Sequence, residues 1–228
     1  MMGIDYEGLI KVKMQKNPIT IDPDASFYEA RTIVRDKGIR HLPVVDKQGR
    51  LVGIITDTDI REAAPSDASA LTIQELQYLL GKIKVASIMT PQDKLVTITP
   101  DITIEEAVQL MHDNKIGCLP VMEKGRLAGI LTATDIMAIF VDIFGLKLQG
   151  TRITVALEDV PGKMLGVLEV MKDHGVNVIS IMSPTFLVQG KRVAAVRIAT
   201  QDFEAIVEDL QKKGYEVLST DRWTPKSS

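Results

Sequence analysis

The chain has 228 residues, of which 45% are hydrophobic and 25% charged, a composition typical of a soluble globular protein with room for two compact cores. Its formal net charge of −3 gives no global positive field, which argues against nucleic acid or an anionic membrane as the partner. A single cysteine excludes an internal disulfide, and the sequence shows neither a signal-peptide core nor an apolar stretch long enough to span a bilayer. We therefore expect a cytoplasmic protein.

The first two-thirds of the chain contain an internal repeat. Three blocks recur in the same order, with ITIDPDASFYEA matching VTITPDITIEEA, GIRHLPVVD matching KIGCLPVME, and GRLVGIITDTDI matching GRLAGILTATDI. Upstream, KVKM loosely matches ASIM. Ordered self-similarity of this kind is typical of a duplicated structural unit. The sequence predicts one copy at 8–64 and a second at 85–146, joined by a helical connector at 65–84.

Each copy is predicted to fold in the order strand, helix, strand, strand, helix. In the first copy a short strand at Thr20-Ile21 precedes a helix that starts with the capping-box pair Ser26 and Glu29. Two apolar strands at 42–45 and 51–55 follow, and a second helix begins at Thr58, the predicted N-cap. The second copy repeats these features at Thr97-Ile98, Thr103 with Glu106, 119–122, 127–131 and Thr134.

The end of the first helix differs between the copies. Gly38 ends it in the first copy, because glycine adopts a left-handed conformation at no steric cost. The second copy has Lys115 at that place, so we expect Asn114 to end the helix instead.

From Thr151 the pattern changes to the order βαββαβ, the ferredoxin-like split unit. The first helix of this unit is predicted to begin with Pro161 at its N1 position and to end at Gly175. A turn at Gln189-Gly190 joins the two central strands, and the last strand ends near 220. The polar tail from Arg222 onward is expected to be frayed.

Taken together, these blocks resemble known families. The two copies of the pattern LPVVD…GRLVGIITDTDI resemble tandem CBS domains, the Bateman module, and the segment 151–222 resembles an ACT domain. The order CBS–CBS–ACT is similar to that of the AcuB family of acetoin-utilisation proteins. The resemblance implies an α/β (α+β) fold in which two CBS repeats form a pseudo-twofold module, followed by a ferredoxin-like ACT domain. It also implies an adenine nucleotide in the clefts between the repeats: AMP first, with ADP, ATP or S-adenosylmethionine as alternatives.

A Thr at a strand end followed three residues later by an Asp occurs twice, as Thr56 with Asp59 and as Thr132 with Asp135. A carboxylate in the first helical turn can accept both hydrogens of a ribose diol, and the Thr hydroxyl and free N–H groups can bind phosphate. Thr and Asp are also favoured at helix starts simply as caps. The duplication and the family resemblance favour ligand binding, while the capping interpretation stays open.

By resemblance, the adenine fits among apolar residues near the first strand of a copy and the chain that enters its second strand. The expected contacts are Thr20, Ile21, Ile39, Arg40, His41, Leu42, Pro43, Thr56, Thr58 and Asp59 in the first copy, and Thr97, Ile98, Gly117, Cys118, Leu119, Pro120, Thr132, Thr134 and Asp135 in the second.

The two predicted sites are unequal. Arg40-His41 precedes the second strand of the first copy and offers a guanidinium fork and an imidazole to a phosphate. Gly117-Cys118 takes this place in the second copy and offers neither. We therefore expect the Arg40-His41 cleft to bind a phosphorylated nucleotide and the other to bind more weakly or stay empty. A solvated surface charge is the alternative interpretation of Arg40.

Two other kinds of site are not expected. No helix start or basic residue neighbours Cys118 in sequence, which favours a buried structural thiol over a nucleophile. His41, His112 and His174 lack the spacing of a zinc site, and the last two lie near predicted helix ends, where they complement the helix dipole.

In the ACT-like segment, Asp159 and Gly162 flank the first strand-to-helix turn, and Asn177 begins the second strand. The resemblance implies that a small effector such as an amino acid binds near this turn. Gly162 can equally serve only to close the turn, and many ACT folds serve only in dimerisation.

No catalytic signature is present: the sequence has no GxSxG, HExxH, Walker or Rossmann motif. The leading hypothesis is a non-catalytic regulatory homodimer that senses an adenosine-containing small molecule. An oligomerisation scaffold with degenerate ligand sites is the second hypothesis, and an enzyme that uses Asp59 or Asp135 as its base is the third.

Overall fold

The structure is a computed structural model and describes residues 9–63, 78, 80–185 and 187–225. It divides into two compact units, Met1–Ile136 and Met137–Ser228. Of the predicted helical connector at 65–84, residues 65–77 and 79 lie outside the described residues, and residues 78 and 80–82 are helical. No helix in the described part of the chain is long and apolar enough to cross a membrane.

The first unit contains the two repeats, and each has the predicted helix, hairpin and second helix. The elements of and before the first repeat are α1 (Leu9–Lys13), β1 (Gln15–Lys16), α2 (Phe27–Lys37), β2 (His41–Val45), β3 (Leu51–Thr56) and α3 (Asp57–Ala63). The second repeat is preceded by β4 (Thr90–Pro91) and consists of α4 (Ile104–Asn114), β5 (Cys118–Glu123), β6 (Arg126–Thr132) and α5 (Ala133–Ile143). The boundary between the two units falls within α5. Short 3-10 helices at Val85–Ser87 and Gln92–Lys94 flank β4.

The repeats exchange edge strands. One three-stranded sheet has the order β2-β3-β4 and the other the order β1-β6-β5. Thus β4, which precedes the second repeat, pairs with the first repeat and places Thr90 opposite Ile54. In the same way β1 precedes the first repeat but places Gln15 opposite Ile130 of the second. The exchange ties the two repeats together through backbone hydrogen bonds.

Two glycines make this exchange possible. A Cβ added to Gly53 on β3 would lie 2.5 Å from the Met89 sulfur and 2.7 Å from the Thr90 carbonyl oxygen. A Cβ added to Gly129 on β6 would lie 2.7 Å from the Met14 sulfur and 2.9 Å from the Gln15 carbonyl oxygen. Met14 and Met89 therefore occupy equivalent places, which confirms the loose match of KVKM with ASIM.

Local geometry confirms some predicted boundaries and corrects others. The Thr20-Ile21 and Thr97-Ile98 strands reduce to single parallel bridges, Ile21 to Val44 and Ile98 to Val121. Thr58 and Thr134 are not the N-caps, because α3 and α5 begin one residue earlier, at Asp57 and Ala133. The side chains of the preceding Thr56 and Thr132 accept the capping hydrogen bonds instead.

The helix α4 ends at Asn114 as predicted, but Asn114 does not supply the left-handed cap. Asn114 is the last helical residue, and Lys115 takes the left-handed conformation with φ 54°, as Gly38 does at the end of α2 with φ 62°. The backbone N–H of Lys115 and that of Ile116 donate back into the helix, which offsets the conformational cost of a side chain there.

The second unit folds in the predicted order βαββαβ, with one additional two-residue strand before the third predicted strand. Its elements are β7 (Gly150–Leu157), α6 (Lys163–Asp173), β8 (Val178–Met182), β9 (Leu187–Val188), β10 (Lys191–Ile198), α7 (Glu204–Lys212) and β11 (Glu216–Trp223). The sheet has the order β11-β7-β10-β8, with β9 paired to β10, and every pair is antiparallel. Alternate residues of β7, such as Ile153 and Val155, share one buried core with Val167 and Met171 of α6 and Leu210 of α7.

Two predictions in this unit are wrong. Pro161 is not at N1, because α6 begins at Lys163 and Gly162 is its N-cap with φ 86°. Arg222 and Trp223 are not frayed but belong to β11, where Trp223 lies opposite Gly150 and its indole N–H donates to the Leu146 carbonyl at 2.8 Å. The predicted helix end at Gly175 is confirmed by its φ of 66°.

Candidate functional site

A cavity of about 290 Å³ opens between the two repeats, and we call it the inter-repeat cleft. The elements that carry its walls are the end of β3, the start of α3, β4, the segment after β4, and the chain that enters β5. Its lining residues are His41, Ile54, Thr56, Asp57, Thr58, Thr90, Lys94, Leu95, Val96, Lys115, Ile116, Gly117, Cys118 and Pro120. The cleft therefore joins the Thr-Asp motif of one repeat to the strand entry of the other.

The Thr-Asp motif forms the same hydrogen-bonded box in both repeats. Oδ2 of Asp59 accepts from the N–H and the hydroxyl of Thr56, both at 2.7 Å, and the Asp59 N–H donates to Thr56 Oγ1 at 3.2 Å. The corresponding distances between Thr132 and Asp135 are 2.8, 2.7 and 3.3 Å. The structure thus establishes the capping role of both pairs. The Oδ1 atoms take no part in these bonds, so a sugar hydroxyl would have to be accepted there.

The carboxylate in the wall of the cleft is that of Asp57, which the sequence analysis did not select. Asp57 lines the cavity, whereas Asp59 does not, although Thr56 and Thr58 on either side of Asp57 do. The signal in the sequence was an asymmetry between the repeats, since the residue that opens the helix is Asp57 in one and Ala133 in the other.

Two lysines supply positive charge to the cleft. Lys94 and Lys115 both line it, and neither forms an ion pair or side-chain hydrogen bond with any residue that the structure describes. Lysine ammonium groups bind phosphate oxygens as point charges. Because Lys115 replaces the helix-ending glycine of the other repeat, this cation has no counterpart at Gly38.

His41 packs against the backbone of the other repeat. Its Nε2 lies 3.2 Å from the point where a Cβ on Gly117 would stand, so a larger residue there would press on the ring. Burial lowers the pKa of His41, and the nearby Arg40 lowers it further, while the Asp57 carboxylate opposes both. The imidazole is therefore neutral at pH 7 and can offer one N–H donor to a ligand.

Cys118 is a buried thiol, as predicted. It is 8% exposed and packs with Ile54 and Ile130 where the two sheets meet. Burial raises the pKa of its thiol to about 12, which keeps it protonated and unreactive at neutral pH. It contributes an apolar surface to the wall of the cleft.

The other predicted contact residues are divided between the core and the surface. Leu42 and Leu119 are fully buried in the core, and Ile21 and Ile98 are bridged to strands by backbone hydrogen bonds. Pro120 lines the cleft. The predicted residues that do not line this cavity are Thr20, Ile21, Ile39, Arg40, Leu42, Pro43, Asp59, Thr97, Ile98, Leu119, Thr132, Thr134 and Asp135.

The three residues proposed for an effector in the second unit do not come together within one chain. Asp159 accepts two hydrogen bonds from Arg192 at 2.6 and 2.9 Å, and this partner lowers the pKa of its carboxyl. Arg192 lies at the start of β10, whereas the Asn177 carbonyl accepts from the N–H of Ala199, just past the end of that strand. At about 3.4 Å per residue, roughly 20 Å of strand separates Asn177 from Asp159 and Gly162.

The remaining histidines serve local structure. His174 follows the last residue of α6 and lies 2.8 Å from the Asp209 carboxylate of α7, and His112 lies 3.1 Å from Asp113. Across the described residues, no cluster of three or more His, Cys, Asp or Glu could hold a metal ion.

Comparison with known proteins places the two repeats in a family. The sequence model of the CBS domain matches residues 9–66 and 85–142. A CBS domain-containing protein of Dictyostelium discoideum is 36% identical over 136 residues, which are 59% of this chain and 92% of that protein. Inosine-5'-monophosphate dehydrogenase of Aquifex aeolicus is 34% identical over 122 residues, but the chain spans only 22% of the length of that enzyme.

Solved structures also resemble the chain. The CBS domain pair of protein MJ0100, in complex with 5'-methylthioadenosine and S-adenosyl-L-methionine, is 32% identical with a TM-score of 0.47, covering 57% of this chain and 94% of that one. A protein described as an acetoin utilization protein, AcuB, from Vibrio cholerae is 27% identical with a TM-score of 0.49, covering 60% of this chain and 93% of that one. The ACT resemblance of the second unit stays a prediction.

Proposed function

The chain belongs to the CBS domain family, and we propose that it is a regulatory protein that binds an adenine nucleotide, AMP first, in its inter-repeat cleft. One observation carries this proposal: the cleft combines threonine hydroxyls and a carboxylate from one repeat with an apolar strand entry and two lysines from the other, and these lysines pair with none of the described residues. These are the groups that a nucleoside phosphate needs, namely an apolar slot for the base, acceptors for the ribose and cations for the phosphate.

The chemistry of the walls suggests how AMP would lie. Ile54, Val96 and Ile116 offer apolar surface to the adenine ring. The Asp57 carboxylate can accept the ribose hydroxyls, which replaces the role first predicted for Asp59. Lys94 and Lys115 would meet the phosphate, whose charge near neutral pH is about −1.5 to −2. A volume of about 290 Å³ suits a mononucleotide better than a larger cofactor.

The predicted inequality of the two sites remains a hypothesis, and the lysines give it a sharper test. Arg40 was expected to make its own cleft the tighter one, yet the observed cavity is lined by His41 as well as by Gly117 and Cys118, and its two cations are Lys94 and Lys115. Calorimetric titration with AMP of the Lys94→Gln/Lys115→Asn double variant and of the Arg40→Gln variant compares the two groups of cations. The variant that loses more AMP affinity identifies the cations of the tighter site.

We expect wild-type protein to bind AMP and the double lysine variant to bind it at least about tenfold more weakly, the loss of roughly 1.4 kcal/mol of charge-assisted contact. Lys172→Gln removes one lysine charge from an exposed position on α6 and should leave the affinity unchanged. An AMP affinity that the double variant retains would remove the phosphate role of these lysines. Wild-type protein that binds no nucleotide would overturn the proposal.

A scaffold with degenerate sites is the second candidate function, because the capping bonds account for both Thr-Asp pairs without any ligand. Thermal unfolding with AMP, ADP, ATP, S-adenosylmethionine and NADH separates the two candidates. A ligand at 100 times its Kd should stabilise the protein by about 2.7 kcal/mol. No shift with any of the five would favour the scaffold.

We further propose that the chain acts as a cytoplasmic homodimer and that its 151–222 segment is an ACT domain. The sheet order of the second unit leaves β8 and β11 as edge strands, and Ile181 on β8 is 45% exposed. Such edges are suited to pairing with a second copy. Light scattering coupled to gel filtration should give twice the chain mass, and a monomer at micromolar concentration would contradict the dimer.

A further inference from the structure

A row of four polar side chains crosses the sheet of the second unit. Asp221 on β11 lies opposite Arg152 on β7, Arg152 lies opposite Arg197 on β10, and Arg197 lies opposite Ser180 on β8. Directly opposite residues of antiparallel strands point to the same face. Because Ile153 and the neighbouring apolar residues face the helices, this row lies on the other face of the sheet.

The row holds two guanidinium groups but only one carboxylate. The Arg152 guanidinium donates to Asp221 Oδ2 at 2.8 Å. Arg197 is only 7% exposed, and its buried Nη1 has no hydrogen-bond partner among the described residues; the same is true of Arg152 Nε. The Trp223 ring lies 5.6 Å from the Arg197 guanidinium and partly offsets its charge. Burial lowers the pKa of Arg197, and the like charge of Arg152 lowers it further. A buried, uncompensated cation opposite a like charge is costly to keep.

A cavity of about 210 Å³ lies against these two arginines. Its polar wall is completed by Ser180, whose hydroxyl donates to the Phe144 carbonyl at 3.1 Å. Its other wall is formed by the side chains of Phe144, Leu146 and Met182. The cavity therefore has a cationic end and an apolar body.

We propose that this cavity binds a small monocarboxylate with an apolar body, with Arg197 as the principal contact. A guanidinium fork matches a carboxylate in two parallel hydrogen bonds, and one anion would balance the single excess positive charge of the row. A doubly charged phosphate would leave the site with excess negative charge. The apolar wall matches a hydrocarbon tail, and the volume limits the ligand to a free small acid rather than a peptide segment. The site shares no residue with Asp159, Gly162 and Asn177, and it does not depend on nucleotide binding by the first unit.

The protein carries its own reporter for this site. Trp223 is the single tryptophan of the chain, and its ring lies over the Arg197 guanidinium. Titration of the full chain with 3-methylbutanoate at constant ionic strength should change the tryptophan fluorescence in a saturable way and raise the Tm. Its neutral isostere 3-methylbutanamide should do neither, because it cannot pair with the guanidinium.

Variants locate the response. Arg197→Met should abolish the carboxylate response and leave the ligand-free protein at least as stable as wild type, because it removes a buried unpaired charge. Arg192→Met on the same strand removes a half-buried arginine already paired with Asp159 and should keep the carboxylate affinity within about twofold. An equal response to the amide and the carboxylate, a response that Arg197→Met retains, or no saturable response in wild type would each overturn the proposal. If Arg197→Met does not fold, the comparison of 3-methylbutanamide with 3-methylbutanoate on wild-type protein still tests the proposal.

Discussion

The strand exchange between the repeats can be tested at Gly53. In the Gly53→Ala variant the new methyl would stand 2.5 Å from the Met89 sulfur and 2.7 Å from the Thr90 carbonyl oxygen. The sulfur ends a flexible side chain and can move, but the carbonyl belongs to β4, which is paired to β3 at this point. Relief therefore requires a shift of β4, and overpacking of this kind costs about 1–3 kcal/mol.

The single cysteine provides an assay confined to the first unit. Cys118 is buried beside Ile54 and reacts with a thiol reagent only when the first unit opens. A loss of 1–3 kcal/mol raises the open population roughly 5- to 150-fold, and the rate of thiol labelling in native buffer should rise by the same factor. Trp223 fluorescence during urea unfolding monitors the second unit, where the sheet should unfold at an unchanged midpoint.

Gly81→Ala is the matched control. Gly81 is helical, and an added Cβ would meet nothing within 4 Å, so this variant should be neutral or up to about 1 kcal/mol more stable. If Gly53→Ala labels no faster than Gly81→Ala, the close approach of β4 to β3 does not exist in solution and the exchanged topology is wrong.

Three further predictions follow from the site. Asp59→Ala and Asp135→Ala each remove the two hydrogen bonds that the carboxylate accepts from Thr56 or Thr132, and each should lower the free energy of unfolding by about 1 kcal/mol in urea titrations. Equal stability to wild type would contradict these bonds. Because the folded pKa of His41 is below its unfolded value of about 6.5, the folded state binds fewer protons there, so stability should be full above pH 6.5 and fall as the pH is lowered towards the folded pKa. His41→Gln should reduce this loss between pH 7.5 and 5.5, and an unchanged urea midpoint profile would refute it. Cys118 should resist iodoacetamide at pH 8 in native protein and react at once in urea, since burial raises its pKa to about 12; rapid native labelling would contradict that burial.

The repeat architecture could be predicted because its signals are local. Thr103 and Glu106 form the predicted capping box, whereas Ser26 and Glu29 form only the half in which the Ser26 side chain accepts from the Glu29 N–H. Gly38 takes the expected left-handed conformation. The order βαββαβ of the second unit could also be predicted, because the apolar residues of its elements recur with the period of a strand or a helix. Turn residues such as Gly175 and Gly190 mark where elements end.

The errors arise where tertiary contacts or competing caps decide. Thr56 and Thr58 are equally good N-cap residues in sequence, and only the hydrogen bonds of Asp59 select the first. The tail from Arg222 onward was expected to fray because it is polar, and nothing local in the sequence shows that Trp223 pairs with the distant Gly150. In the sequence Arg197 resembles an ordinary strand residue, because no local pattern shows that Arg152 lies opposite it in the sheet.

The family resemblance implied clefts between the repeats but not the full set of residues that line this one, and its crossed construction has a consequence for regulation. The cleft takes Thr56 and Asp57 from one repeat and Lys115 and Gly117 from the other, with Thr90 on the exchanged strand β4. A nucleotide bound there would touch both repeats at once, so it can stabilise the arrangement in which both halves of the site are assembled. AMP at 100 times its Kd should therefore slow the labelling of Cys118 about a hundredfold, the equivalent of 2.7 kcal/mol. Adenosine, which lacks the phosphate that the two lysines would hold, should need at least about tenfold higher concentration for the same protection. Equal protection by AMP and adenosine would mean that the lysines do not read a phosphate, and no protection by either would separate the cleft from the nucleotide altogether.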